Sequence, residues 1–187
     1  NELLELADAG VGSTLLFSSS LAAEDGDLEY KVKAGYLFNF TKFITWPGIK
    51  TTSFNLCLLG KDPFGAVIDP IEEKIAFSRP IKVIRLDEAG FMSNASPISD
   101  CQILYLGSTN NLKTTAAKLK PYPNNTGILL VGSGEEFAAA GGMIAFVNRE
   151  GRIKLQINQD AVKQTGLKIS AKLLEIAELV GGQSNDQ

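Results

Sequence analysis

Histidine is absent from the 187 residues. Its absence excludes a Ser-His-Asp or Cys-His nucleophile and a His-ligated zinc or haem, and it removes the commonest general base. Cysteine is nearly absent as well. With only Cys57 and Cys101, far apart in the chain, no zinc-ligand spacing exists, so neither a metal nor a cofactor is expected. The longest charge-free apolar run near the start, Ala9 to Ala23, is serine-rich and falls short of the roughly 20 residues a spanning helix needs. A basic stripe interleaved with aromatics is also missing, so no nucleic-acid footprint is expected. The first thirty residues hold seven acids and no base, which leaves 18 bases against 14 acids in the remainder. That remainder is only mildly basic.

What is present is a globular balance, with 44% hydrophobic and 21% charged residues, sized for one domain. Residues 1–29 read as a signal-like or disordered segment. Gly12 to Ala23 is a short apolar stretch ending in small residues, with Ser20 and Ala22, or Leu21 and Ala23, placed for signal cleavage. The acidic segment before it suits an amphipathic arm instead. Residues 30–181 form the expected α/β domain, and 182–187 a polar tail.

Within the domain, Tyr30–Trp46 predicts an amphipathic helix whose core face carries Val32, Tyr36, Phe40, Phe43 and Ile44, ended by Pro47-Gly48. Strand-length apolar runs follow at Phe54–Leu59, Ile81–Leu86, Cys101–Leu106, Gly127–Gly132, Met143–Asn148 and Arg152–Asn158. Helical stretches at Pro63–Lys74, Asn110–Lys120 and Glu135–Ala140 separate several of them. Such alternation predicts a mixed, mostly parallel sheet with helices on both faces. Glycine in the turn Val147–Arg152 makes the last two strands an antiparallel hairpin. A closing helix, Gln159–Val180, is bent or broken at Gly166.

Two glycine-rich turns resemble nucleotide loops and fail in detail. Gly60 to Gly65 has the opening spacing of a P-loop, but Ala66-Val67 replaces the phosphate-binding Lys and Ser or Thr. At Gly132-Ser-Gly134, Phe137 replaces the third glycine, and Glu135 and Glu136 would repel a pyrophosphate. The neighbouring carboxylates Glu72-Glu73 and Asp87-Glu88 point in different directions on any regular element and form no catalytic pair.

Three sets of side chains are candidates for function. In Arg152–Asn158 the donors Lys154, Gln156 and Asn158 share one face; that face is either bare to solvent or a groove for a small anionic ligand, with Arg79 a further donor. Trp46, the single tryptophan, sits where the chain leaves its helix and is either a core residue or a partner-binding anchor. Cys57 and Cys101 fall on strands that neighbour each other if the first and third strands pair; they form either a disulfide or two buried thiols.

The segments Lys33–Pro47, Cys57–Gly65, Gly141–Phe146, Leu155–Asn158 and Gly166–Leu174, in this order and spacing, resemble the YfiR family over about Tyr30 to Val180. The resemblance implies a periplasmic, non-enzymatic α/β protein, in some cases a homodimer. It would repress an inner-membrane diguanylate cyclase by binding the cyclase's periplasmic sensor domain, with redox-sensitive cysteines and small-molecule binding in some members. It favours export of the chain. Only the Cys57 and Cys101 pair is present here, and Lys154 and Gln156 fill positions where members carry Arg and His. Two other readings remain: a periplasmic small-molecule binding module serving a sensor kinase or transporter, and a hydrolase working through carboxylates.

Overall fold

The computed structural model describes residues 11–95, 97–110, 112–119 and 127–181. The expected tail at 182–187, the acidic start at 1–10 and the end of the Asn110–Lys120 stretch lie outside the described residues.

Helix α1 spans Val11–Phe43 and passes without a break through the boundary expected near residue 30. Of the residues expected on its core face, Phe40 and Ile44 are buried and Tyr36 and Phe43 pack partly buried against the core. Lys33, Leu37, Phe40 and Ile44 are the buried set, whereas Val32 is 38% exposed. The helix stops before Trp46, because Ile44–Thr45 (β1) pairs antiparallel with Lys168–Ile169 (β9) and Ser170 N–H donates to the Phe43 carbonyl. A β-branched pair just ahead of Trp46-Pro47 suits extended backbone, which a following proline also favours.

The main sheet has eight strands: β2 Phe54–Leu59, β3 Ile75–Ala76, β4 Arg79–Leu86, β5 Ile103–Leu106, β6 Leu129–Ser133, β7 Ile144–Arg149, β8 Arg152–Asn158 and β10 Glu178–Val180. Their spatial order is β10-β8-β7-β6-β5-β2-β4-β3. Strands β4, β2, β5, β6 and β7 run parallel to one another, β3 is antiparallel to β4, β8 is antiparallel to β7, and β10 is parallel to β8. This is the mixed, mostly parallel α/β sheet the alternation predicts, in one domain. Every residue of β2 and of β5 is buried, as expected for central strands covered on both faces. The β7–β8 turn holds Glu150 and Gly151 at φ 55° and 79°, the left-handed pair a two-residue hairpin turn requires.

Alternate residues of β7 face opposite layers. Phe146 meets Tyr36 and Phe40 of α1, with ring centroids 5.9 and 6.2 Å away. Ala145 and Val147 pack with Ala138 of the short helix α4, Glu135–Ala139, on the other side. Helices α2 (Glu88–Met92) and α3 (Leu112–Leu119) belong to the β4–β5 and β5–β6 connections, and the helical stretch expected over Pro63–Lys74 is a 3-10 helix over Gly65–Glu73.

The closing helix expected over Gln159–Val180 is instead two short ones, α5 Gln159–Lys163 and α6 Ala171–Glu175, with β9 between them and β10 after them. Asn158 and Ser170 side chains cap the two starts. Gly166, at φ 81°, turns the chain out of α5 and into β9.

Candidate functional site

In an open parallel sheet, ligands usually bind beyond the carboxyl ends of strands where strand order reverses. Here the chain goes from β2 outward to β4 and then back across to β5, so the reversal lies between β2 and β5. That crevice is filled by backbone. Lys61 N–H donates to the Ser108 carbonyl at 2.9 Å, and Gly107 N–H to the Leu59 carbonyl at 2.8 Å. A Cβ on Gly107 would stand 2.4 Å from the Lys61 carbonyl oxygen, and one on Gly60 2.7 Å from that of Ser108. Only glycine permits this closure.

Beneath it lies a second tie. Cys57 of β2 and Cys101 form a disulfide with Cα atoms 5.9 Å apart. Cys101 lies ahead of β5 rather than in it, so the bridge fastens the incoming turn to the sheet and avoids the poor geometry of a link between paired parallel strands. Next to it Trp46 is 6% exposed. Its indole N–H donates to the Gln102 carbonyl at 3.0 Å, and its ring meets Phe54 and Phe77 edge-on at 5.0 and 5.7 Å. The structure therefore places Trp46 in the core, with no exposed ring to offer a partner.

Arg79 is committed as well. Its guanidinium donates to the carbonyls of Ile49, Thr51 and Phe77 at 2.8–2.9 Å, tying the loop after Pro47 to the β3–β4 turn. Four strands (β2, β5, β6 and β7) stand between β4 and β8, so Arg79 does not converge with Lys154. The donors on β8 separate too. The Gln156 amide donates to Glu135 and Glu178 at 3.1 and 3.4 Å, and Asn158 donates to the Ala138 carbonyl while accepting from Ala161 N–H. Lys154 is exposed. The groove expected from Arg79, Lys154, Gln156 and Asn158 is thus not assembled, since two members of the strand face hold α4, α5 and β10 in place.

Arg149 completes that network by bridging Glu135 at the start of α4 and Glu178 of β10. Its hydrogen bonds hold both carboxyls below the usual carboxylate range, and the two carboxylates raise its own affinity for the proton. On the opposite flank, burial pushes Asp62 upward, but the Arg85 guanidinium and the Phe64 and Gly65 N–H groups outweigh it and leave the carboxyl lowered.

The open part of the carboxyl edge lies beside β6 and β7. Lys33 reaches it from α1 and is only 4% exposed. Its ammonium is 3.0 Å from Glu29 and 3.2 Å from Ser133 Oγ, and lies over the rings of Tyr30 and Phe146 at 4.8 and 5.8 Å. Such compensation is what a buried charge requires. Ser133 is also 2.9 Å from the Tyr105 hydroxyl, whose pKa is raised by burial. A cavity of about 300 Å³ opens here between α1 and the hairpin, with Lys33, Glu29, Phe146 and Glu135 among its walls. Lys33 was not expected on the core face, because a charged side chain falls outside the apolar pattern that defines such a face. The usable signal was a lysine four residues before Leu37 on the stripe that continues to Phe40 and Ile44.

Among the described residues no group of His, Cys, Asp and Glu side chains is arranged to hold a metal ion, and no helix is long and apolar enough to cross a membrane.

The fold and site define a single α/β domain with a mixed, mostly parallel sheet, a switch-point crevice filled by backbone and a small cavity at one flank. The chain matches the DUF4154 family, described as YfiR/HmsC-like, over residues 30–178, and it belongs to that family. No curated protein matches it. Among solved structures, it is similar to the ABC domain in complex with L-Trp from Streptococcus pneumonia, at 10% identity and TM-score 0.50, over 76% of this chain and 59% of that one. It is also similar to a conserved domain protein from Vibrio cholerae, at 14% identity and TM-score 0.50, over 70% of this chain and 56% of that one. The chain spans less than two thirds of both structures, and at these identities the likeness is one of fold.

Proposed function

We propose that this chain is an exported, non-enzymatic regulator of cyclic-di-GMP signalling that represses an inner-membrane diguanylate cyclase by binding its periplasmic sensor domain. The observation that carries the reading is the family match, which extends from the buried part of α1 to the first residue of β10 and so takes in all the other strands of the sheet. Two features support it. The Cys57–Cys101 disulfide suits an oxidising compartment such as the periplasm. The backbone that fills the β2–β5 crevice removes the position where a sheet of this kind would hold a nucleotide substrate.

Repression would work by population shift: the sensor domain is held in an inactive arrangement while bound, and release allows productive cyclase pairing. The test is the cyclic-di-GMP content of the native host. Deleting the gene should raise it, an exported copy should restore it, and a copy retained in the cytoplasm should not. Unchanged cyclic-di-GMP on deletion would end the reading. A second function, as a periplasmic small-molecule module serving a sensor kinase or transporter, is favoured by one observation, the cavity beside Lys33.

A further inference from the structure

Lys33 is the one lysine in the buried polar set of the described residues, and it lines a cavity together with its partners Glu29 and Phe146. We propose that the space between α1 and the β7–β8 hairpin binds a small apolar molecule bearing one carboxylate, with the Lys33 ammonium and the Ser133 hydroxyl as donors and Glu29 as the internal carboxylate it displaces.

Three observations lead there. First, the ammonium is already paired with a carboxylate, Glu29 at 3.0 Å, but the two side chains differ in setting: Lys33 is 5% exposed and Glu29 42%. Lys33 is fixed by packing under Tyr30 and Phe146, while Glu29 stands on a helix turn at the rim and can swing into water. A carboxylate from outside can take its place with the same charge-assisted bond. Second, Ser133 Oγ lies 3.2 Å from the ammonium and 2.9 Å from the Tyr105 hydroxyl. With the tyrosine hydroxyl donating to it, the serine hydroxyl is free to donate in turn to a bound oxygen. Third, the walls select the rest of the molecule. Phe146 and Ile153 line the inner space of about 300 Å³. A second space of about 740 Å³, walled by Leu28 and Val32, 59% and 38% exposed, adjoins it and shares Glu29, Asn148 and Ile153 with it. An apolar body lying there would cover side chains that are otherwise in water. The one buried ammonium matches a single carboxylate, because the other acid on the wall, Glu135, is already held by Arg149.

The site is separate from the strand face of Lys154 and does not rest on the cyclase reading. Titration calorimetry of the whole chain with 4-phenylbutyrate and with 4-phenylbutylamine tests it, since the two probes share a body and differ in head group. The acid should bind and the amine should not. Lys33→Met should weaken binding of the acid about tenfold or more, the scale of one charge-assisted hydrogen bond. Ser133→Ala, a change at an exposed residue that leaves the core intact, should weaken it about threefold. Glu29→Gln removes the competing carboxylate and should strengthen binding, an effect that a purely structural Glu29–Lys33 pair would not produce. Absence of binding by the acid, equal binding of the amine, or an unchanged or weaker affinity in Glu29→Gln would overturn the proposal.

Discussion

The two halves of the sheet spend their polar groups differently. Around β2 and β5 the carboxyl edge is closed: loop backbones bridge across it, a disulfide lies beneath, and Trp46 and Arg79 are both turned inward onto main-chain carbonyls. Around β7 and β8 the edge is open, with a cavity under α1 on one face and an exposed Arg149–Glu135–Glu178 network on the other. Side chains of the first half hold the fold together through burial. Surface side chains of the second half, such as Arg149 and Lys154, lie where a ligand or partner can reach them, and their removal should cost little stability.

The largest expected effect is at Trp46. Trp46→Ala takes a ring from the Phe54–Phe77 cluster and leaves the Gln102 carbonyl without its donor, which should cost about 3–5 kcal/mol and lower the melting temperature by roughly 10 °C. A loss within a few degrees would return Trp46 to the surface and blur the contrast between the halves. Next is the bridge. With the Cys57–Cys101 bridge in place the chain should be two hydrogen atoms lighter than the dithiol by non-reducing mass analysis, and reduction should cost about 2–4 kcal/mol in thermal melts. Two thiols that alkylate freely in unfolded, unreduced protein would contradict it.

On the open side the effects are smaller and depend on pH. Glu135 and Glu178 have folded-state pKa values below their unfolded ones, because Arg149 hydrogen-bonds both. Their contribution is therefore present above the unfolded carboxylate range, about 4.3 for Glu, and is lost as pH falls through the lowered folded values. In Arg149→Ala, NMR titration should find both carboxyls back near ordinary values, with a modest stability deficit at neutral pH that disappears in acid. Smallest of all is Lys154→Ala. On an exposed strand position it should change stability by less than about 0.5 kcal/mol, and it should leave 4-phenylbutyrate binding intact. A tenfold loss of anion affinity in that variant would move the ligand site onto the β8 face.

Much of the fold was legible because its signals are local. Phe54–Leu59 and Arg152–Asn158 occupy the spans their patterns predict, since an apolar run and a period-two alternation each admit one register. The end of the chain was less so. Ile169, Leu173 and Ile176 satisfy a helical period, but the pairing of Ile44 with Ile169 and of Leu179 with Ile157 is a long-range matter that periodicity cannot express. The site was hardest to read for the same reason. Arg79 and Lys154 look equally available as sequence, and only the strand order separates them. Lys33 looks like one charge among several on a helix until the sheet supplies Ser133 and Phe146.

The regulatory reading stands or falls on a physical complex with a cyclase. Its direct measurement is calorimetric titration of the purified, oxidised chain into the purified periplasmic sensor domain of the membrane-bound diguanylate cyclase whose loss cancels the effect of deleting this gene. Saturable one-to-one binding, kept in Lys154→Ala and abolished by unfolding of the reduced Trp46→Ala chain, is the predicted result. No heat and no co-elution at concentrations of tens of micromolar, about the range of weak transient interfaces, would contradict it.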